Sequence, residues 1–541
     1  MASPSSSETA IAQGLRNPRL MQAALALYDD RLADAEPLLR AHLKSDPFDV
    51  AAIRMMSELA ARVGRYRDAE NLLRRALELA PEFGAARANL ATILYRQNRP
   101  LEALAELDTL AAKDDGNGDP DNLGHNNLRA ATLGRIGEFE EALRLYEAVL
   151  AQVPNQPRVW LSYGHMLKTV GRVDDGIAAY RRTLQLSPHM GEAWWSLANL
   201  KTVHFTAEDV AAMQAALTTP NVNDEDRFHL DFALGKAFED MKMLEPAFRH
   251  YAAGNALRRR SLPYDAAETT QMVDASLAMY TADFFAERQG WGCDAGDPIF
   301  VLGMPRAGST LVEQILSSHS QIEGTSELAD IPLLVRRFSN DPARLAQMPA
   351  EQLAALGEAY LKRTQVQRKT GRPLFIDKLP NNWAHVPFIH LILPNATIID
   401  ARRHPMSCCF SNFKQHFARG QGFTYSLDDL GRYYSDYVRL MDHVDRVMPG
   451  RVHRVIYERM VDATEAEIRA LVAACRLDFE DTCLRFHETE RAVRTPSSEQ
   501  VRQPIFRGGT EAWQGFAPWL RPLEQGLGPV LAAYPDAPAA F

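Results

Sequence analysis

Apolar residues in the first two hundred positions fall on a helical beat. Between Ala51 and Pro81, one stripe runs through Ile53, Met56, Leu59, Ala60 and Val63. After the turn at Gly64-Arg65, a second runs through Ala69, Leu72, Leu73, Ala76 and Leu77. Steps of three and four along each stripe predict two amphipathic helices. Pro81 then ends the second by removing an amide donor and clashing with the preceding turn. The unit recurs: prolines stand at 47, 81, 120, 154 and 188, spaced 34, 39, 34 and 34, so the longer step carries an insertion at Asp114–Asp119. Gly64 answers to Asn98, Gly137 to Gly171, Ala69 to Ala103, Ala142 to Gly176 and Trp160 to Trp194. Such a fixed period predicts stacked helical pairs, a superhelical solenoid over residues 17–205.

Beyond residue 205 the pattern stays helical but loses its beat. Phe228–Met241 and Glu245–Arg259 read as a diverged pair, and Ala266–Phe285 as one further helix. Gly290–Pro298, rich in Gly, Asp and Pro, closes this 206–296 segment as a boundary loop. At Pro298 the character changes. Ile299-Phe300-Val301-Leu302 is a short apolar run of the kind buried on both faces of a parallel sheet, and Leu374–Ile376, Ala396–Ile399 and Val455–Ile456 read likewise. Residues 297–541 are therefore expected to form an α/β domain.

After the first of these strands comes Gly303-Met304-Pro305-Arg306-Ala307-Gly308-Ser309-Thr310, then the helical pattern Leu311, Ile315, Leu316. A glycine-containing loop between strand and helix is an anion site, because backbone amides and the positive end of the helix dipole converge there. The spacing is that of a Walker A loop with Ser309 where lysine belongs. Arg306 is the only cation in the loop. Asp400 could imitate the magnesium-holding carboxylate of a nucleoside-triphosphate enzyme, a reading that the missing lysine opposes.

Composition sets the remaining bounds. The 541 residues are 46% apolar and 24% charged, ordinary for a globular chain, and a net charge of −9 argues against a broad nucleic-acid surface. Five cysteines, two of them the adjacent pair Cys408–Cys409, make neither a disulfide framework nor a zinc spacing. Met1–Arg16 reads as a short disordered tail without the apolar core of a signal peptide, and no run is long enough to span a bilayer. The expected location is the cytoplasm.

The 34-residue helix–turn–helix period resembles the tetratricopeptide repeat, whose solenoids offer a groove for a peptide or protein partner. Trp160, Tyr163, Trp194 and Trp195 are expected mostly at packing positions within it. Pro305–Thr310 resembles the 5′-phosphosulfate loop of the sulfotransferase superfamily, most closely the protein-tyrosine sulfotransferases and bacterial repeat-containing sulfotransferases. The resemblance covers roughly 297–530. It implies a parallel sheet flanked by helices and the donor 3′-phosphoadenosine 5′-phosphosulfate (PAPS), held by Arg306, Ala307, Gly308, Ser309 and Thr310, with no metal.

Further matches carry further implied roles. Arg403, with Ser411 eight residues on, matches the pair that reads the donor's 3′-phosphate. Glu327 matches the general base that deprotonates the acceptor, with Glu323, His319, His385 and His404 as rivals. Lys378 in Asp377-Lys378-Leu379-Pro380 matches the lysine beside the scissile oxygen. Thr495–Pro504 resembles the segment that closes over the donor, Ser497 being the catalytic candidate and Ser498 its neighbour; Tyr457 matches a tyrosine near the nucleotide. One position departs: Ala512 precedes Trp513 where the family carries a basic residue, and Arg502 or Arg507 is a candidate substitute.

The expected function is in-line transfer of a sulfuryl group from PAPS to an acceptor hydroxyl. Peptide tyrosine is suggested by the glutamate base; a glycan, a lipid or a small alcohol stays open. The alternative is a binding scaffold, with a repeat arm that recruits protein and a nucleotide-binding but inactive C-terminal domain.

Overall fold

The computed structural model describes residues 17–112, 120–220, 222–338, 342–418, 420–495, 497–505 and 510–539. The tail, the Asp114–Asp119 insertion and Arg507 lie outside them. The chain divides into two compact units, 1–166 and 167–541, and the division falls inside the helix Pro157–Val170.

In the first unit the stripes become antiparallel helix pairs. Val50–Arg62 packs on Tyr66–Leu79, Gly84–Arg96 on Pro100–Ala111, and Pro120–Arg135 on Phe139–Gln152. A leading pair, Pro18–Tyr28 and Leu32–Ser45, precedes them. Ala69, Leu73, Ala76, Leu90 and Leu94 form one continuous core between neighbouring pairs. The turn inside each pair needs a left-handed residue, and the repeat supplies one on its beat: Asp30, Gly64, Asn98 and Gly137, at φ 57°, 78°, 58° and 89°.

The second unit opens with the last repeat helices, Val173–Leu186 and Gly191–Leu200, preceded by the same left-handed turn at Gly171. The repeated tryptophan has a structural job. Trp194 Nε1 donates to Pro188 O at 2.9 Å, and within the first unit Trp160 Nε1 donates to Pro154 O at 2.8 Å. The diverged pair is present as Asp224–Asp240 and Leu244–Ser261. It is fastened to the α/β domain: Asn255 Nδ2 donates to Phe413 O at 2.8 Å, and Lys414 pairs with Glu239 at 2.5 Å. The expected single helix Ala266–Phe285 is instead two, Ala266–Met279 and Ala282–Ala286, because Thr281 Oγ1 accepts from Phe284 N and caps a new start.

Among the described residues the sheet has five parallel strands: β1 Pro298–Gly303, β2 Ile322–Ser326, β3 Leu374–Lys378, β4 Thr397–Arg402 and β5 Val452–Ile456. Their order is β2-β3-β1-β4-β5. Every residue of β1 is buried, as a central strand covered on both faces requires. Ile299, Val301, Ile376 and Ile399 from the sheet pack with Val312 and Ile315 of the helix Ser309–Ser317 and with Ile468 and Leu471 of the helix Thr464–Ala474. Since all strands run one way, all five carboxyl ends lie along one edge.

Candidate active site

That edge gathers the residues singled out from sequence. In open parallel sheets the crevice beyond the carboxyl ends is where ligands bind. Here Arg306 follows β1, Glu327 is the first residue past β2, Lys378 is the last of β3, Arg403 follows β4 and Tyr457 follows β5.

The loop after β1 is shaped by backbone strain and close approach. Gly303 sits at φ 124°, where a Cβ would lie 2.3 Å from Ala401 O. Gly308, at φ 105°, caps the helix Ser309–Ser317, and a Cβ there would meet Tyr457 Cδ2 at 2.9 Å. Between them Arg306 is held left-handed at φ 66°, an uncommon state for a side-chain-bearing residue. Ala307, Ser309 and Thr310, in the same loop and helix start, are buried. Thr310 Oγ1 lies 3.2 Å from Thr495 Oγ1, tying the helix start to the closing segment.

Arg306 spans two distant parts of the chain. Its Nε donates to Ser411 Oγ at 3.2 Å, another guanidinium nitrogen donates to Ser497 Oγ, and a third donates to Gln500 Oε1 at 3.2 Å. Burial, and next the neighbouring Arg403, press its pKa down to about 10. Arg403 NH1 donates to Arg306 O at 3.3 Å. The register Arg402↔Ile456 brings the next residues together, so the Arg403 guanidinium sits 4.8 Å from the Tyr457 ring centroid.

Glu327 and Lys378 meet by a similar logic. The β2–β3 register shifts between Gly324 and Ser326, pairing Ser326 with Asp377, so the following residues fall side by side. Lys378 Nζ donates to Glu327 Oε1 at 2.6 Å, with the lysine side chain 1% and the glutamate 47% exposed. The rival residues are otherwise engaged. Glu323 Oε1 accepts from the amides of Lys369 and Thr370, His319 Nε2 hydrogen-bonds Asp478 O at 2.9 Å, and His404 stacks on Trp513 with centroids 5.9 Å apart. Burial drives His385 down to about 4. Asp400 is also committed: its carboxylate accepts from Tyr437, Arg402 and Arg454, which opposes a magnesium-holding role.

Arg306, Ser309, Arg403, Ser411, Tyr457 and Ser497 line one cavity of about 420 Å³, as do Gly308 and Thr310. Glu327, Lys378, Ala307 and Ser498 are not part of its lining. Ser498 is fully buried, and its Oγ has no hydrogen-bond partner among the described residues. The cavity also takes in Lys201, Lys236 and Lys414, which sequence reasoning missed, together with Gln500 of the closing segment and Trp195, which was expected at a packing position. Arg502, a candidate substitute for the missing basic residue, donates instead to Ser498 O, Arg491 O and Glu499. The residues present suit a polyanion, since a glycine cradle, a helix start and several partly buried cations surround one space.

Comparison with known proteins agrees with this architecture. Residues 298–481 match the sulfotransferase family, and residues 60–123 match the tetratricopeptide repeat. An uncharacterized protein of Aquifex aeolicus is 28% identical over 410 residues, covering 73% of this chain and 53% of that protein, so the match spans about half of the relative's length. A putative protein-tyrosine sulfotransferase of Caenorhabditis briggsae is 24% identical over 225 residues, 40% of this chain and 80% of that protein. Among solved structures, the sulfotransferase domain from the curacin biosynthetic pathway matches 41% of this chain and 91% of its own at 18% identity and a TM-score of 0.31. A tetratricopeptide-repeat protein with an unusual peptide-binding site matches 37% of this chain and 98% of its own at 18% identity and a TM-score of 0.28. Among the described residues no helix is long and apolar enough to cross a membrane. The chain thus carries tetratricopeptide repeats followed by a sulfotransferase-family domain built on a five-stranded parallel sheet.

Proposed function

We propose that the chain transfers a sulfuryl group from PAPS to an acceptor hydroxyl. One observation carries the reading: the carboxyl ends of all five strands bring Arg306, Glu327, Lys378, Arg403 and Tyr457 to a single sheet edge.

On this reading the donor's 5′ end lies on the loop Pro305–Thr310, with Arg306 and the amides at the start of Ser309–Ser317 as its electrostatic partners. Arg403 and Ser411 hold the 3′-phosphate, a planar guanidinium suiting bidentate contact. Glu327 takes the acceptor's proton as the new O–S bond forms. The bond from sulfur to the bridging oxygen breaks, and its electron pair stays on the departing 5′-phosphate. Lys378 stabilises that growing charge, and Ser497 is positioned with Arg306 around the sulfonate. The Lys378–Glu327 pair supports this division: it holds the carboxylate beside the ammonium until the leaving oxygen competes for that ammonium.

The acceptor is a peptide tyrosine on the strength of the glutamate base, and the repeat arm recruits a peptide or protein. The five cysteines form no disulfide among the described residues, which supports a reducing compartment, the cytoplasm. Ala512, lining the cavity where a cation is expected, favours a second reading in which the domain binds nucleotide without turnover. Transfer of ³⁵S from labelled PAPS to peptide, glycan and lipid extracts separates the two. Labelled acceptor is the expected result; tight binding of adenosine 3′,5′-bisphosphate with no labelled product would favour the scaffold.

A further inference from the structure

The cavity has a wall that the sulfotransferase-family match does not contain. Trp195, Leu200, Lys201 and Lys236, from the last repeat helix and the diverged pair, line it together with Ser411 and Lys414. Lys201 stands where the repeat breaks. The turn residue expected 34 positions after Gly171 would be Phe205, yet the helix Gly191–Leu200 already ends at Lys201, whose φ is 65°. This early left-handed stop puts a lysine, rather than a repeat turn, on the cavity wall.

We propose that Lys201 is the second cation of the donor's 3′-phosphate site, taking the part of the basic residue absent at Ala512. The inference rests on the PAPS reading above. Lys201 and Ala512 line the same cavity, although more than three hundred residues separate them in the chain. Arg306, Lys168, Lys414 and Lys236 are its charged neighbours, and burial together with this crowd of like charges holds its pKa well below the ordinary lysine value. Lys236 and Lys414 bring their own counter-charges, Asp240 and Glu239, each at 2.5 Å. A cluster of this sign, in one cavity with the Ser411 hydroxyl and the Arg403 guanidinium, suits a phosphate dianion. Lys201 shares the cavity lining with Ser411 and has Lys414, three residues on from Ser411, among its charged neighbours, which assigns it to the 3′ end.

The consequence is that the last repeat helix completes the nucleotide pocket, so the family-matched region alone lacks part of its donor site. Lys201→Gln in the full chain tests this, with adenosine 3′,5′-bisphosphate and adenosine 5′-monophosphate as calorimetric probes. The bisphosphate affinity falls about 10–100-fold, the range for losing one charged hydrogen-bond partner, while the monophosphate affinity changes less than about twofold. Lys201→Arg restores most of the loss, which a folding defect would not allow. Unchanged bisphosphate affinity, or equal losses for both probes, overturns the role of Lys201. A wild-type chain that binds no bisphosphate overturns the PAPS reading itself, and this inference with it.

Discussion

Lys378 Nζ donates to Glu327 Oε1 at 2.6 Å, joining the end of β3 to the first residue beyond β2. The two depend on each other unequally. An ammonium only 1% exposed needs a counter-charge, whereas a carboxylate 47% exposed can be solvated without one. Removing the acid therefore disturbs the lysine more than the reverse, and the substitutions must be chosen accordingly.

Glu327→Gln keeps an oxygen for Lys378 but cannot take a proton. Sulfuryl transfer should fall about 10²–10⁴-fold, the usual contribution of a positioned base, with bisphosphate affinity unchanged. Steady-state rates and calorimetry on the same preparation check both halves. Near wild-type turnover would move the base to another residue.

Lys378→Met keeps the buried stem and removes the charge. Turnover should drop about 10²–10³-fold, typical of one lost electrostatic donor. An acceptor-independent readout is available: hydrolysis of PAPS to the bisphosphate should slow by a similar factor, because the same leaving oxygen loses its partner.

Gly308→Ala tests the cradle. At φ 105° with a Cβ 2.9 Å from Tyr457 Cδ2, the substitution strains the loop by about 1–3 kcal/mol and displaces the ring that covers Arg403. Urea unfolding should report that loss, and bisphosphate binding should weaken with it. Unaltered binding would place the nucleotide elsewhere.

A pH signature follows from Lys168, held down to about 8 from 10.5 by burial first, with Glu499 raising it and Arg502 and Arg306 lowering it. A bound polyanion favours the charged lysine, so binding near pH 8 should take up protons, and affinity should fall as pH rises beyond the bound-state pKa. For the free chain the sign is opposite: the cost of the buried charge is fully present below about 8 and is relieved between about 8 and 10.5, so this group adds stability as pH rises through that window. Calorimetry in two buffers of different ionisation enthalpy measures the uptake, and Lys168→Met should reduce it.

Much of this molecule was legible in its sequence because local chemistry carried it. Gly64, Asn98, Gly137 and Gly171 announce left-handed turns, and the strand–loop–helix around Gly308 announces an anion site. Asp30 hid the same turn behind a residue with weaker turn character. The helix break at Thr281 was written in a cap residue that a continuous apolar pattern outweighed. The strand β2 escaped notice because Glu323-Gly324-Thr325-Ser326 is short, polar and only half buried. Lys201, Lys236 and Lys414 had no local signature at all, since a lone polar side chain reveals its role only when the chain folds distant elements around it.

The most direct test is a crystal structure of the full chain with adenosine 3′,5′-bisphosphate, set beside one with ATP and magnesium. The bisphosphate should occupy the cavity with one phosphate on the loop Pro305–Thr310 and the other between Arg403 and Ser411. An empty cradle with the bisphosphate, filled instead by ATP and magnesium, would contradict the sulfotransferase account.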